Sequence, residues 1–242
     1  MRSSNPILDS NAFEIRGKVA YDGGMTISGT VNKSLMLLAL VSTTALFTYL
    51  NLGAATMPIA IGGAIGGFIF ALITTFKKEW SPITAPIYAL LEGLFLGGIS
   101  GVFNQMYPGI AIQAVMLTFG VFFCLLAAYK SGLIKATENF KLGIVAATGA
   151  IFMVYMASMI LGLFNIEMPL IHSNGTFGII FSLVVVVIAA LNLVLDFDFI
   201  EEAAANGSPK YMEWYAAFGL LVTLVWLYLE ILKLLAKLSK RD

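Results

Sequence analysis

Asn192-Leu-Val-Leu-Asp196-Phe-Asp198-Phe-Ile-Glu201-Glu202 and Trp226-Leu-Tyr-Leu-Glu230-Ile-Leu-Lys233 set acidic side chains inside long apolar runs. In lipid an ionised carboxylate is costly unless it finds a partner, a proton or water, so such residues are functional candidates by default. The same two stretches decide the fold class, because runs of this kind belong to helices that cross a bilayer.

Working outward, the whole chain has that character. Of its 242 residues 59% are hydrophobic and 12% charged, with a mean hydropathy of +0.90. A soluble domain of this length has too little polar side chain left to cover so much apolar surface. The chain therefore reads as an all-α polytopic membrane protein. Net charge is zero, which gives no basic footprint for nucleic acid. One cysteine, Cys124, excludes an internal disulfide, and one histidine, His172, is too few for a zinc site.

Residues 1–33 are polar and mixed in charge and read as a cytoplasmic tail, leaving 34–242 as the transmembrane domain. Seven apolar segments follow, at about 34–52, 57–76, 82–104, 110–129, 141–163, 176–200 and 215–236, each near the ~20 residues that cross the hydrocarbon layer. The runs are continuous and lack the alternation of a membrane barrel. Gly62, Gly63, Gly66 and Gly67, then Gly93, Gly97 and Gly101, place small residues on one helical face, which favours close helix contact within the bundle. Lys77, Lys78, Lys130, Lys135, Lys141 and Lys210 fall on the same side as the tail, which puts the N-terminus in the cytoplasm. Lys237, Lys240 and Arg241 oppose an external C-terminus, and snorkelling reconciles them with a seventh crossing.

Leu195-Asp-Phe-Asp-Phe-Ile200 and Leu227-Tyr-Leu-Glu-Ile-Leu-Lys-Leu-Leu235 resemble the last two helices of the Bax inhibitor-1/YccA-like membrane proteins. Leu91-Glu-Gly-Leu-Phe-Leu-Gly97 fits as well, and Ser4-Asn-Pro6 with Met25-Thr-Ile-Ser-Gly-Thr-Val-Asn-Lys33 looks like the longer bacterial branch. The resemblance implies six helices around a central seventh, a bacterial inner membrane, and a pH-sensitive calcium leak governed by an acidic pair. Carried over residue by residue, the pair is Asp196 with Glu230, and Asp198 and Glu92 are weaker oxygen donors. Position 230 departs from the Asp common in the family, and the connection between the acids is longer than in its short members.

Two such carboxylates, if close, share one proton and, once both ionise, recruit a cation, for which calcium's preference for oxygen ligands is suited. Closeness depends on the hairpin. A tight turn at Asn206-Gly-Ser-Pro209 sets Asp196 opposite about residue 219 and leaves Glu230 ~16 Å deeper at 1.5 Å per residue. The acids meet only if Tyr211-Met-Glu-Trp-Tyr215 lies along the membrane surface, and that arrangement is the one expected, with Lys77 or Lys78 as counter-charge.

The bland readings are a solvated Asp196 or Asp198 at a helix end, Glu230 paired along its own helix with Lys233, and Glu92 in a structural hydrogen bond. Rival functions also exist. A non-conducting regulator would bind other membrane proteins, such as quality-control proteases, through the tail, and deleting residues 1–24 would separate it from a leak. Gly98-Ile-Ser100-Gly101 with His172 and Gly175 echoes rhomboid-type intramembrane serine proteases, although short Gly-rich motifs arise freely in such helices. An enzyme is not expected, nor a cofactor beyond calcium as permeant or bound ion. Gly24 to Thr30 has P-loop spacing without the lysine, and Asn174-Gly-Thr176 is a glycosylation acceptor only in a secretory membrane.

Overall fold

A computed structural model describes residues 23–51, 53, 56–164 and 175–240. They form seven long helices: α1 Ile27–Leu50, α2 Thr56–Phe76, α3 Ser81–Met106, α4 Ile110–Lys130, α5 Glu138–Leu163, α6 Thr176–Ala205 and α7 Met212–Ser239. Each is long and apolar enough to cross a membrane. Among the described residues there is no strand, only an isolated bridge between Gly24 and Pro209. The protein is an integral membrane protein. The end of the bundle at which α1 begins is called the N-side below, and the opposite end, where α7 finishes, the C-side.

Capping explains where helices depart from the apolar segments. Thr26 is extended and its hydroxyl accepts from the Gly29 amide, so α1 starts at Ile27 and takes in polar residues up to Lys33. Thr137 does the same for α5 through Phe140, drawing Glu138 and Lys141 into the helix. At the other end of α6, Gly207 adopts φ +66°, the left-handed geometry that stops a helix sharply. The Ser208 amide then donates to the Ala203 carbonyl, closing a tight turn into α7.

Packing separates the helices by role. α3 lies between α1 and α2 at backbone distance: a Cβ on Gly97 would stand 2.2 Å from the Ala45 carbonyl, and one on Gly63 would stand 2.6 Å from the Leu91 carbonyl. The glycine spacing thus serves contacts inside the bundle, although Gly62 has nothing near it and faces outward. α7 is the most enclosed span and packs against α6, α1, α4 and α3, with Leu227 and Leu232 fully buried. α5 is the least enclosed and rests mainly on α6.

Candidate functional site: acids along the α5, α6 and α7 seam

The turn at Gly207 fixes the height of every acid on the last two helices. α7 begins at Met212, so Tyr211 to Tyr215 do not form a separate surface segment. The expected pairing of Asp196 with Glu230 is therefore corrected: Asp196 sits beside Gly219, whose ideal Cβ lies 4.0 Å from Oδ1, and within reach of the Thr223 hydroxyl. Glu230 is seven residues beyond Thr223, about 10 Å deeper. The two carboxyls cannot share a proton directly in this arrangement.

What the structure builds instead is two separate acidic stations. At the N-side, Asp196, Asp198, Glu202 and Lys141 line a cavity of about 450 Å³ together with Tyr215 and Gly219. Lys141 Nζ lies 2.6 Å from Asp198, 3.4 Å from Glu138 and 3.9 Å from Glu202. The Tyr129 hydroxyl donates to Glu201 at 2.9 Å and is 3.5 Å from Asp198. Asp198 is thus tied into an ion cluster. Asp196 differs from it: its Oδ2 is buried and has no hydrogen-bond partner among the described residues. An orphan carboxyl oxygen at such a position is costly, and a proton, a cation or water must supply what the protein does not.

Deeper toward the C-side, Glu230 is 1% exposed. Its Oε2 accepts from the Tyr155 hydroxyl at 2.9 Å and its Oε1 from Lys233 at 3.0 Å, while Lys233 also stands 5.1 Å over the Tyr155 ring. Here the pairing with Lys233 along the helix is what forms. One turn on, Lys237 donates to the Gly178 carbonyl at 3.0 Å and to the Ser182 hydroxyl at 2.8 Å. Between the two stations Asn192 donates to the Thr148 hydroxyl at 2.8 Å, so polar side chains recur along the seam from one end to the other.

The remaining candidates lie elsewhere. Glu92 is buried between α3 and α2, where a Cβ on Gly67 would come within 2.9 Å of Oε2, and it joins neither station. Lys78 stands 5.1 Å over the Tyr215 ring, and neither it nor Lys77 lines the N-side cavity, where the counter-charge expected of them is supplied by Lys141. Ser100 is engaged with the Leu96 carbonyl and the Tyr228 hydroxyl. His172 and Asn174 lie outside the described residues, as does the tail through residue 22.

A sequence profile of the Bax inhibitor 1-like family matches residues 5–240, essentially the whole chain. The chain belongs to the Bax inhibitor 1-like family. No curated protein matches it. The family is one of channels and regulators rather than of enzymes.

Two residues of this Bax inhibitor 1-like protein escaped sequence reasoning. Lys141 registered only as a topology charge, because nothing in the sequence shows that α5 brings it to α6. Glu213 registered only as an interfacial residue, yet its side chain is fully buried and holds the first turn of α1. Its Oε1 accepts from the Thr26 amide at 3.0 Å, the Thr26 hydroxyl at 2.8 Å and Lys210 at 2.8 Å, with Lys33 3.9 Å from Oε2. A carboxylate at a helix N-terminus meets the positive end of its dipole. Gly29 makes room, since any Cβ there would strike the carboxyl. The available signal was a lone acid three residues from a lysine at the mouth of an apolar run, too common a pattern to single out.

Proposed function

We propose that this protein is a pH-sensitive calcium leak in which Asp196 alone is the proton-responsive gate and the seam between α5, α6 and α7 is the route. The observation that carries the reading is the orphan Oδ2 of Asp196 on a cavity that also holds Asp198 and Glu202. Ionised, Asp196 draws a cation into the cavity. Protonated, it removes the charge that makes entry favourable, so the leak falls on acidification. Lys141 opposes entry by occupying Asp198, and the Tyr155, Glu230 and Lys233 cluster closes the C-side. Among the described residues no three acidic, His or Cys side chains converge to cage a metal ion. Calcium in transit would then keep part of its water, which its flexible oxygen coordination allows.

Reconstitution into liposomes with an entrapped calcium dye tests this. Wild-type flux should rise with pH, and Asp196→Asn should give a low flux that no longer responds to pH. An unchanged profile in that variant rejects Asp196 as the gate. Glu230→Gln should leave the pH response in place while raising the flux, because it weakens the C-side closure without touching the cavity.

A regulator that docks other membrane proteins through its N-terminal tail is the second reading. It is favoured by the Thr26 to Glu213 junction, which ties the start of α1 to α7. Removing residues 1–22 spares that junction. A leak should survive the truncation, whereas binding to a membrane protease partner should be lost.

A further inference from the structure

A second cavity, of about 660 Å³, lies in the C-side half of the bundle between α1, α3, α4 and α7, away from the acidic seam. It reaches Leu224, Val225 and Tyr228 on α7. Of its lining residues, Leu46 on α1 and Ile112 and Val115 on α4 are 56%, 60% and 37% exposed, which sets its opening between those two helices. The cavity is therefore continuous with the surface that faces bilayer hydrocarbon. Its volume falls in the range of about 300–1,000 Å³ typical of ligand sites.

We infer that this cavity holds one acyl chain of a bilayer phospholipid, laid through the opening between α1 and α4 against Leu224 and Val225 of α7. The walls are chiefly aliphatic, and no Lys, Arg or His lines the cavity among the described residues. A headgroup phosphate or a free fatty carboxylate would find no counter-charge inside. The polar groups near the C-side end are neutral: the Tyr49 hydroxyl, and the Asn104 amide, whose Oδ1 accepts from the Gly109 amide at 2.9 Å. They suit the ester carbonyl where an acyl chain meets glycerol. On the floor, the Tyr228 hydroxyl donates to Ser100 Oγ at 2.6 Å and Ser100 in turn donates to the Leu96 carbonyl, so the chain lies over a polar pair whose protons are already placed.

The test uses the full chain in vesicles of phosphatidylethanolamine and phosphatidylglycerol containing a phosphatidylcholine with a mid-chain diazirine, with photoproducts mapped by mass spectrometry. Wild type should be labelled on Leu224 and Val225 as well as on outward residues such as Met116 and Phe123. Val115→Trp, a substitution at the exposed mouth, should cut labelling of Leu224 and Val225 at least fivefold and leave Met116 and Phe123 unchanged. Labelling confined to outward residues, or equal labelling of Leu224 in wild type and variant, overturns the proposal. A Leu224→Cys variant in the same vesicles should resist a charged, water-soluble thiol reagent. Rapid modification would mean that the cavity holds water and would also overturn it.

Discussion

Lys141 and Glu213 show how one side chain can be decisive with no motif to announce it. Lys141 neutralises part of the acidic cavity, so Lys141→Gln should raise calcium flux at low ionic strength, with the gain shrinking as salt screens the cavity. Flux measured at two salt concentrations checks this. Glu213 accepts three hydrogen bonds on one oxygen, two of them from Thr26. Glu213→Gln keeps the shape but replaces an acceptor by a donor in one orientation and loses the charge, and should destabilise the protein by about 1–3 kcal/mol. A lowered melting temperature in detergent, with Thr26→Ala giving a smaller loss in the same direction, is the expected result.

Among elements, the helices were legible from apolar length alone, since a bilayer allows few backbone solutions besides a helix that satisfies its own amides. Their ends were less so. α1 and α5 begin early because Thr26 and Thr137 cap them, a local hydrogen bond that hydropathy does not register. The glycines were legible as contact residues but not by partner. Gly97 meets Ala45 and Gly63 meets Leu91, whereas Gly62 of the same run meets nothing, because which face of α2 turns inward is a property of the assembled bundle. Gly97→Ala should therefore cost about 1–3 kcal/mol or more, as overpacking does. Gly62→Ala should leave the melting temperature unchanged or slightly raised. The acidic pair failed at this scale too. Both outcomes of the hairpin arithmetic were readable, and the choice between them rested on Gly207, whose left-handed turn starts α7 at once and leaves Asp196 at the level of Gly219.

For the whole molecule, burial is graded: 56% of the apolar window of α7 lies inside the bundle, against 11% for α5. Few contacts and outward-facing amides mark the segments that open first, so hydrogen exchange in detergent should be fastest in α5 among the seven helices and slowest in α7. Tyr155→Phe, which removes the tether from α5 to Glu230, should speed exchange in α5 further and leave α3 unaffected. The junction of Thr26 with Glu213 carries a different consequence. During synthesis α1 leaves the ribosome before α7, and chains organise from the N-terminus as they emerge. Until the hairpin of α6 and α7 is inserted, the opening turn of α1 lacks its carboxylate, and α1, α3 and α4 lack the helix they pack against. A nascent chain halted before residue 213 would hold α1 to α6 without the helix on which α6, α1, α4 and α3 pack, which makes the insertion of α7 the moment at which this protein becomes one object.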